Sequence, residues 1–199
     1  MTHSKLESEW FELCRHGSII DVKEFLDKNK QWDARGTRDD DKKACLHIAA
    51  EEGNTHVVEF LWKQFYKDYG VPISHDGLSP LFFAVCNGHI DTCMFLLEQL
   101  NLNTSYDFIS RNYNFFEKSS GKIVQTLLHI AAYNGYTTIC ALLIGYGANL
   151  EAKTVDVIGR TPLYIALKAG HLDTAKFLLK RGAKLDYETV GLLWKYINQ

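Results

Sequence analysis

The chain has 199 residues, 46% of them apolar and 23% charged, with a net charge of −2. This is the mix of a globular protein, so general disorder is excluded, and the near-neutral balance gives no global attraction to nucleic acid or to an anionic membrane. The longest apolar stretch, Ile139 to Ile144, is far too short to span a bilayer, and the opening MTHSKLESEW lacks the apolar run of a secretory leader.

In chain order, residues 5–40 read as a capping unit. Trp10, Phe11, Leu13 and Phe25 interleave with Glu7, Ser8, Glu9, Glu12, Arg15 and Lys23, which suits a helix pair apolar on one side only. Trp10 precedes Gly17 by seven residues, and Val22, Phe25 and Leu26 fall where a second helix belongs. Asp33 to Lys43 carries four acidic and four basic residues and reads as a solvated loop. A unit at 41–73 follows, opening on ACLHIAAEEGN from Ala44. The next, 74–120, opens on SPLFFAVCNGH from Ser79 and carries an insertion at about 98–120. The third, 121–155, holds TLLHIAAYNGY from Thr126, and the fourth, 156–188, holds TPLYIALKAGH from Thr161. Thr189 is placed to cap a closing helix over 189–199, with Leu192, Leu193, Tyr196 and Ile197 turned onto the preceding unit.

The four inner segments share one form. Each has a Leu two residues after its first residue, a small pair, and a Gly seven after that Leu. The anchors Leu46, Leu81, Leu128 and Leu163 are 35, 47 and 35 residues apart. A period of this size marks a stacked solenoid, in which each unit contacts its neighbours alone and the ends need polar caps. The last unit shows how it works. Thr161 caps a short helix, Pro162 sits in its first turn where a missing N–H costs nothing, and Leu163, Ile165, Ala166 and Leu167 line it. Gly170 stops it and a second helix runs from Leu172 to Lys180. The resulting fold class is all-α, with sheet limited to short hairpins. After Trp62 and Leu97 the Gly-Ala ending is missing, so those second helices are expected to run on through KQFYKDYG and EQLN.

The pattern T-P-L-[HY]-x-A, then Gly seven after the Leu, an apolar second helix and Gly-Ala, resembles the ankyrin repeat. Thr161, Gly182 and Ala183 carry the best copy, and Thr126, Gly147 and Ala148 the next. Cys45 stands where Pro is usual. The resemblance covers roughly residues 5–188 and implies a non-catalytic module that binds a protein or peptide partner through a concave face. Matched copy by copy, the residues of that face are Lys43, Glu51 and Glu52; Leu78, Cys86 and Asn87; Gln125, Tyr133 and Asn134; Arg160 and Lys168. His75, Asp76, Val157 and Ile158 hold the intervening hairpin tips. The resemblance also makes His47 and His129 structural, bonded to the backbone of a neighbouring loop. Phe82 and Tyr164 fill the same slot, so no shared titration is implied.

The insertion supplies a rival surface, with Tyr106, Phe108, Tyr113, Phe115 and Phe116. It either folds back over the extended second helix, presents an aromatic recognition loop, or is disordered. Cys86, His89 and Cys93 lie close together, but no second C-x2-C pair completes a tetrahedral metal site. No G-x-S-x-G, Walker A, H-E-x-x-H or kinase motif is present. The expectation is therefore no catalytic residue, no metal, no cofactor, no small-molecule substrate and no membrane, in a monomer. Five scattered cysteines place it in a reducing, cytoplasmic compartment, which for a delivered bacterial protein is host cytosol; the nucleus is compatible. Two other functions fit the same chain. It is a targeting or substrate-recruiting part of a larger enzyme or of a bacterial effector; or it binds nucleic acid through Lys168, Lys176, Lys180, Arg181 and Lys184.

Overall fold

The computed structural model describes residues 3–102, 113–117, 121–155 and 159–197. It divides into two compact units, Met1–Leu100 and Asn101–Gln199.

The first unit opens with α1 (His3–His16) and α2 (Ile19–Lys28). The bend between them is fixed locally. The Gly17 N–H donates to Leu13 O at 2.8 Å, and a Cβ on Gly17 would stand 2.5 Å from that same oxygen. Ser18 then caps α2: its Oγ accepts the Asp21 N–H at 3.2 Å, and Asp21 Oδ2 accepts the Ser18 N–H at 2.9 Å. The Ser18 hydroxyl, donating to Asp21 Oδ2 at 2.7 Å, and then the Ser18 N–H hold the Asp21 carboxyl below the usual carboxylate range. Trp10 is wholly buried, stacked 5.3 Å from Phe25, with Trp32 edge-on to Phe25 at 5.6 Å. The capping unit thus brings an aromatic core of its own beneath α1, which packs on α3 (Cys45–Glu51).

Residues Cys45 to Ala50 of α3 are all buried. No side chain caps the start of α3 from Ala44; instead the ring of His47 turns back, and its Nδ1 accepts the Ala44 N–H at 2.9 Å. The second helix α4 (Thr55–Leu61) passes into one π-helical turn, Trp62–Tyr66, with Trp62 and Tyr66 buried. A hairpin tip follows, closed by the Ser74 N–H on Leu78 O at 3.0 Å, with Gly77 in the left-handed region at φ 75°. Ser79 Oγ caps α5 (Pro80–Asn87) by accepting from Phe82 N, and Pro80 occupies the first turn. Then comes α6 (Ile90–Leu102). Of the two expected extensions, that through KQFYKDYG stops at Tyr66 in the π-turn, with residues 67–69 forming a turn, whereas α6 runs through EQLN to Leu102.

The second unit contains a hairpin of β1 (Tyr113–Glu117) and β2 (Gly121–Gln125), antiparallel, with Tyr113 opposite Gln125 and Glu117 opposite Gly121. Two helix pairs follow: α7 (Leu127–Tyr133) with α8 (Thr137–Gly145), and α9 (Pro162–Ala169) with α10 (Leu172–Lys180). Thr161 Oγ1 caps α9 by accepting from Tyr164 N, and Gly170 stops it at φ 84°. The final helix α11 (Tyr187–Ile197) packs on α9. It begins two residues before the expected start at Thr189. The reason is a reciprocal cap one turn earlier: Asp186 Oδ1 accepts the Thr189 N–H and Thr189 Oγ1 accepts the Asp186 N–H, both at 2.8 Å. A carboxylate at that position satisfies the first turn, so the helix starts from Asp186 and Thr189 lies buried inside it. The side chains of 3–4, 100–102, 113–117, 121–124 and 197 and the residues 1–2, 103–112, 118–120, 156–158 and 198–199 are outside this description.

The four anchoring leucines Leu46, Leu81, Leu128 and Leu163 are each at most 1% exposed. A part-buried hydroxyl pair recurs between successive second helices. Thr55 Oγ1 lies 2.7 Å from Thr92 Oγ1, and Thr137 Oγ1 lies 2.7 Å from Thr174 Oγ1.

Candidate functional site

Ionisable side chains buried in a helical stack are the first place to look for chemistry. Here they are used up by backbone. His47 Nε2–H donates to Leu78 O at 3.1 Å, and with Nδ1 already bonded to Ala44 N, both ring nitrogens are occupied. Burial, with the Arg38 charge adding, pulls His47 down to about 4, so it is neutral at pH 7. His129 repeats the arrangement: Nδ1 accepts from Thr126 N at 3.1 Å, and Nε2 bonds Arg160 O at 3.0 Å. His89 runs the other way, its Nε2 donating to Glu51 O at 2.9 Å. Each histidine fixes a loop.

Cys86 and Cys93 are equally quiet. Burial, with the Glu51 charge adding, pushes Cys86 up to about 12, and burial next to Cys86 does the same to Cys93. A thiol that stays protonated at pH 7 is a poor nucleophile and a poor metal ligand. Among the described residues, no group of three or more His, Cys, Asp or Glu side chains is arranged to hold a metal ion.

What remains are the ends of the first helices. Equivalent positions are Glu51 on α3, Cys86 on α5, Tyr133 on α7 and Lys168 on α9. In the first unit this region is bound to itself. Lys43 Nζ reaches Glu51 Oε2 at 2.8 Å and lies 4.7 Å from the centre of the Phe83 ring, while Glu52 meets Arg15 at 3.4 Å. Cys86 is half-buried; Asn87 is exposed but donates its amide to Phe83 O one turn back at 3.0 Å. At the hairpin tip His75 and Asp76 are exposed and 3.4 Å apart, and Leu78 is half-buried.

In the second unit Tyr133 is 55% exposed at the last position of α7. Beside it Asn134, half-buried, donates its amide to Ile130 O at 3.0 Å. Lys168 is exposed at the matching place on α9, and Arg160 is half-buried at the base of its hairpin, where Thr154 Oγ1 accepts its N–H at 2.8 Å. Val157 and Ile158 lie outside the described residues. Gln125, half-buried, ends β2. Its partner across the ladder is Tyr113, so the first-helix set and the insertion meet on one rung. Phe115 and Phe116 lie on β1 opposite Ile123 and Lys122, whereas Tyr106 and Phe108 fall outside the described residues.

One feature had no counterpart in the sequence reading. A shallow groove between α4 and α6 is lined by His56, Glu59, Asp91, Met94, Phe95 and Glu98. Its signal was present as Asp91, Met94 and Glu98 at a spacing that puts them on one face of α6. Lys63 already answers Glu59 at 3.3 Å.

A family model described as ankyrin repeats, three copies to a match, fits residues 11–107 and again 107–189. No curated protein matches the chain.

Proposed function

Because the chain belongs to the ankyrin-repeat family, whose members are generally protein-interaction modules and typically non-catalytic, we propose that it binds a protein or peptide partner through the ends of its first helices and the adjoining hairpin tips, with Tyr133 as the main anchor. The observation that carries this is the contrast within one slot. Glu51, Cys86 and Lys168 occupy the position in other copies, so the repeat itself has no need of an aromatic there. Yet Tyr133 stands 55% exposed on a helix whose residues Leu127 to Ala132 are buried and therefore rigid. A rigid, exposed Tyr offers large contact area at small entropic cost, the usual make-up of an interface hot spot. Asn134 and Gln125 supply hydrogen-bonding groups around it. The exposed Lys168 favours an acidic element in the partner. The five free thiols support placing this activity in a reducing compartment such as the cytoplasm.

The test is Tyr133→Ala in a pull-down and a titration with the captured partner. An unchanged melting temperature with affinity lowered by about 2 kcal/mol or more is expected. Loss of binding on deleting residues 103–118, with Tyr133→Ala without effect, would move the contact to the insertion.

A further inference from the structure

The last helix carries two faces. One is turned inward: Thr189 is fully buried, Leu192 and Leu193 are half-buried, and Tyr196 OH donates to Leu167 O at 2.9 Å. The other is apolar and turned to solvent. Tyr187 is 93% exposed, Trp194 68% and Val190 50%. At 100° per residue, Tyr187, Val190, Gly191 and Trp194 share one side of α11. Gly191 is exposed at the middle of this stripe, and a Cβ built there would meet nothing within 4 Å.

The charges beside the stripe say what fits it. Glu188 and Lys195 are both exposed and both lie on the same flank of the stripe. They are seven residues apart, about 10.5 Å along the axis, too far to pair with each other on one helix. When two such helices meet antiparallel about a twofold axis near Gly191, each flank faces the same flank of the other copy in reverse order. Glu188 then meets Lys195 of the second copy and Lys195 meets its Glu188. Tyr187 packs against the second Trp194, and Gly191 lets the two backbones approach at the axis. We infer that this face of α11 is a homodimer interface, the antiparallel self-pairing of the last helix with a second copy of this chain. It differs from the monomer expected from the sequence.

The size of the contact sets its strength. Two aromatics from each copy, at about 150–250 Å² apiece, bury about 600–1,000 Å² in all, the range of weak and transient association. Self-association is accordingly expected at about 10 μM to 1 mM.

Sedimentation equilibrium of the full chain over that concentration range tests this. The wild type is expected to pass from monomer to dimer, and Trp194→Ala, an exposed position, to stay monomeric with an unchanged circular dichroism spectrum. The charge pairs give the sharper arm. Glu188→Lys alone and Lys195→Glu alone each place like charges opposite one another and weaken the dimer at least about tenfold. An equimolar mixture of the two single variants, and the double exchange within one chain, restore opposite charges across the axis and recover association. A wild type that remains monomeric at the highest concentration overturns the inference. So does a dimer that survives Trp194→Ala, or one whose single reversals are not rescued by mixing.

Discussion

His47 makes stability depend on pH in a window that can be calculated. The ring is fully buried, and its folded pKa is about 4 against 6.5 when unfolded. Between these values the unfolded chain holds a proton that the folded chain refuses. Stability therefore rises with pH across the window, is complete above about 6.5, and is lost as pH falls toward about 4. The drop of roughly 2.5 pH units corresponds to about 3 kcal/mol, a large share of the 5–15 kcal/mol typical of a domain. Asp21 and Asp186, whose folded pKa values are lowered by their capping bonds, add losses only below about pH 3.8, outside this window. Urea unfolding at about pH 7.5, 6, 5 and 4.5 reads the slope. The substitution His47→Phe uses the aromatic that Phe82 supplies in the same slot. It costs stability at neutral pH, because the Ala44 N–H and Leu78 C=O lose their partner, but it removes the titration. The variant should be less stable than wild type at pH 7.5 and should lose about 2.5 kcal/mol less on going to pH 4.5. Parallel profiles for the two proteins, or a His47 ring proton that titrates near 6.5 by NMR, would refute the burial argument.

Leu128→Ala removes a wholly buried anchor of α7 and should cost about 2–5 kcal/mol in denaturant unfolding. A loss below about 0.5 kcal/mol would mean that Leu128 is not core. The Thr137–Thr174 bond should show as non-additivity. Thr137→Val or Thr174→Val leaves one hydroxyl stranded and costs about 1–3 kcal/mol, whereas the double change costs less than the sum of the two; simple additivity would show that the 2.7 Å contact carries no coupling.

The stack was legible because burial at a fixed period leaves a fixed mark. Leu46, Leu81, Leu128 and Leu163 read as core and are core, and Thr161 reads as a cap and is one. Where two local solutions compete, the sequence leaves the choice open. Asp186 and Thr189 both cap well, and only the reciprocal bonds between them decide which one starts α11. The π-turn at Trp62–Tyr66 buries both of its end aromatics, at an i,i+4 spacing that an α-helix serves equally well, so nothing in the residue pattern marks it. The hairpin Tyr113–Glu117 with Gly121–Gln125 depends on a pairing that no repeat of this chain shares, so periodicity is silent there. On the binding side the residue types were legible and their commitments were not. That Lys43 is held by Glu51, and that Asn87 and Asn134 spend an amide on their own helices, follows from side-chain reach.

The two forward-reaching histidines bind carbonyl oxygens, one belonging to Leu78 and the other to Arg160. A peptide C=O is the same acceptor whatever side chain stands beside it. An aliphatic residue and a cation therefore serve the same latch, and the backward latch from His89 to the Glu51 carbonyl follows the same rule. Leu78, Arg160 and Glu51 are also three of the positions offered to a partner. Assembly is thus written in the main chain and recognition in the side chains, at the very same residues. Redesigning this surface for another target can change those side chains without unfastening one repeat from the next.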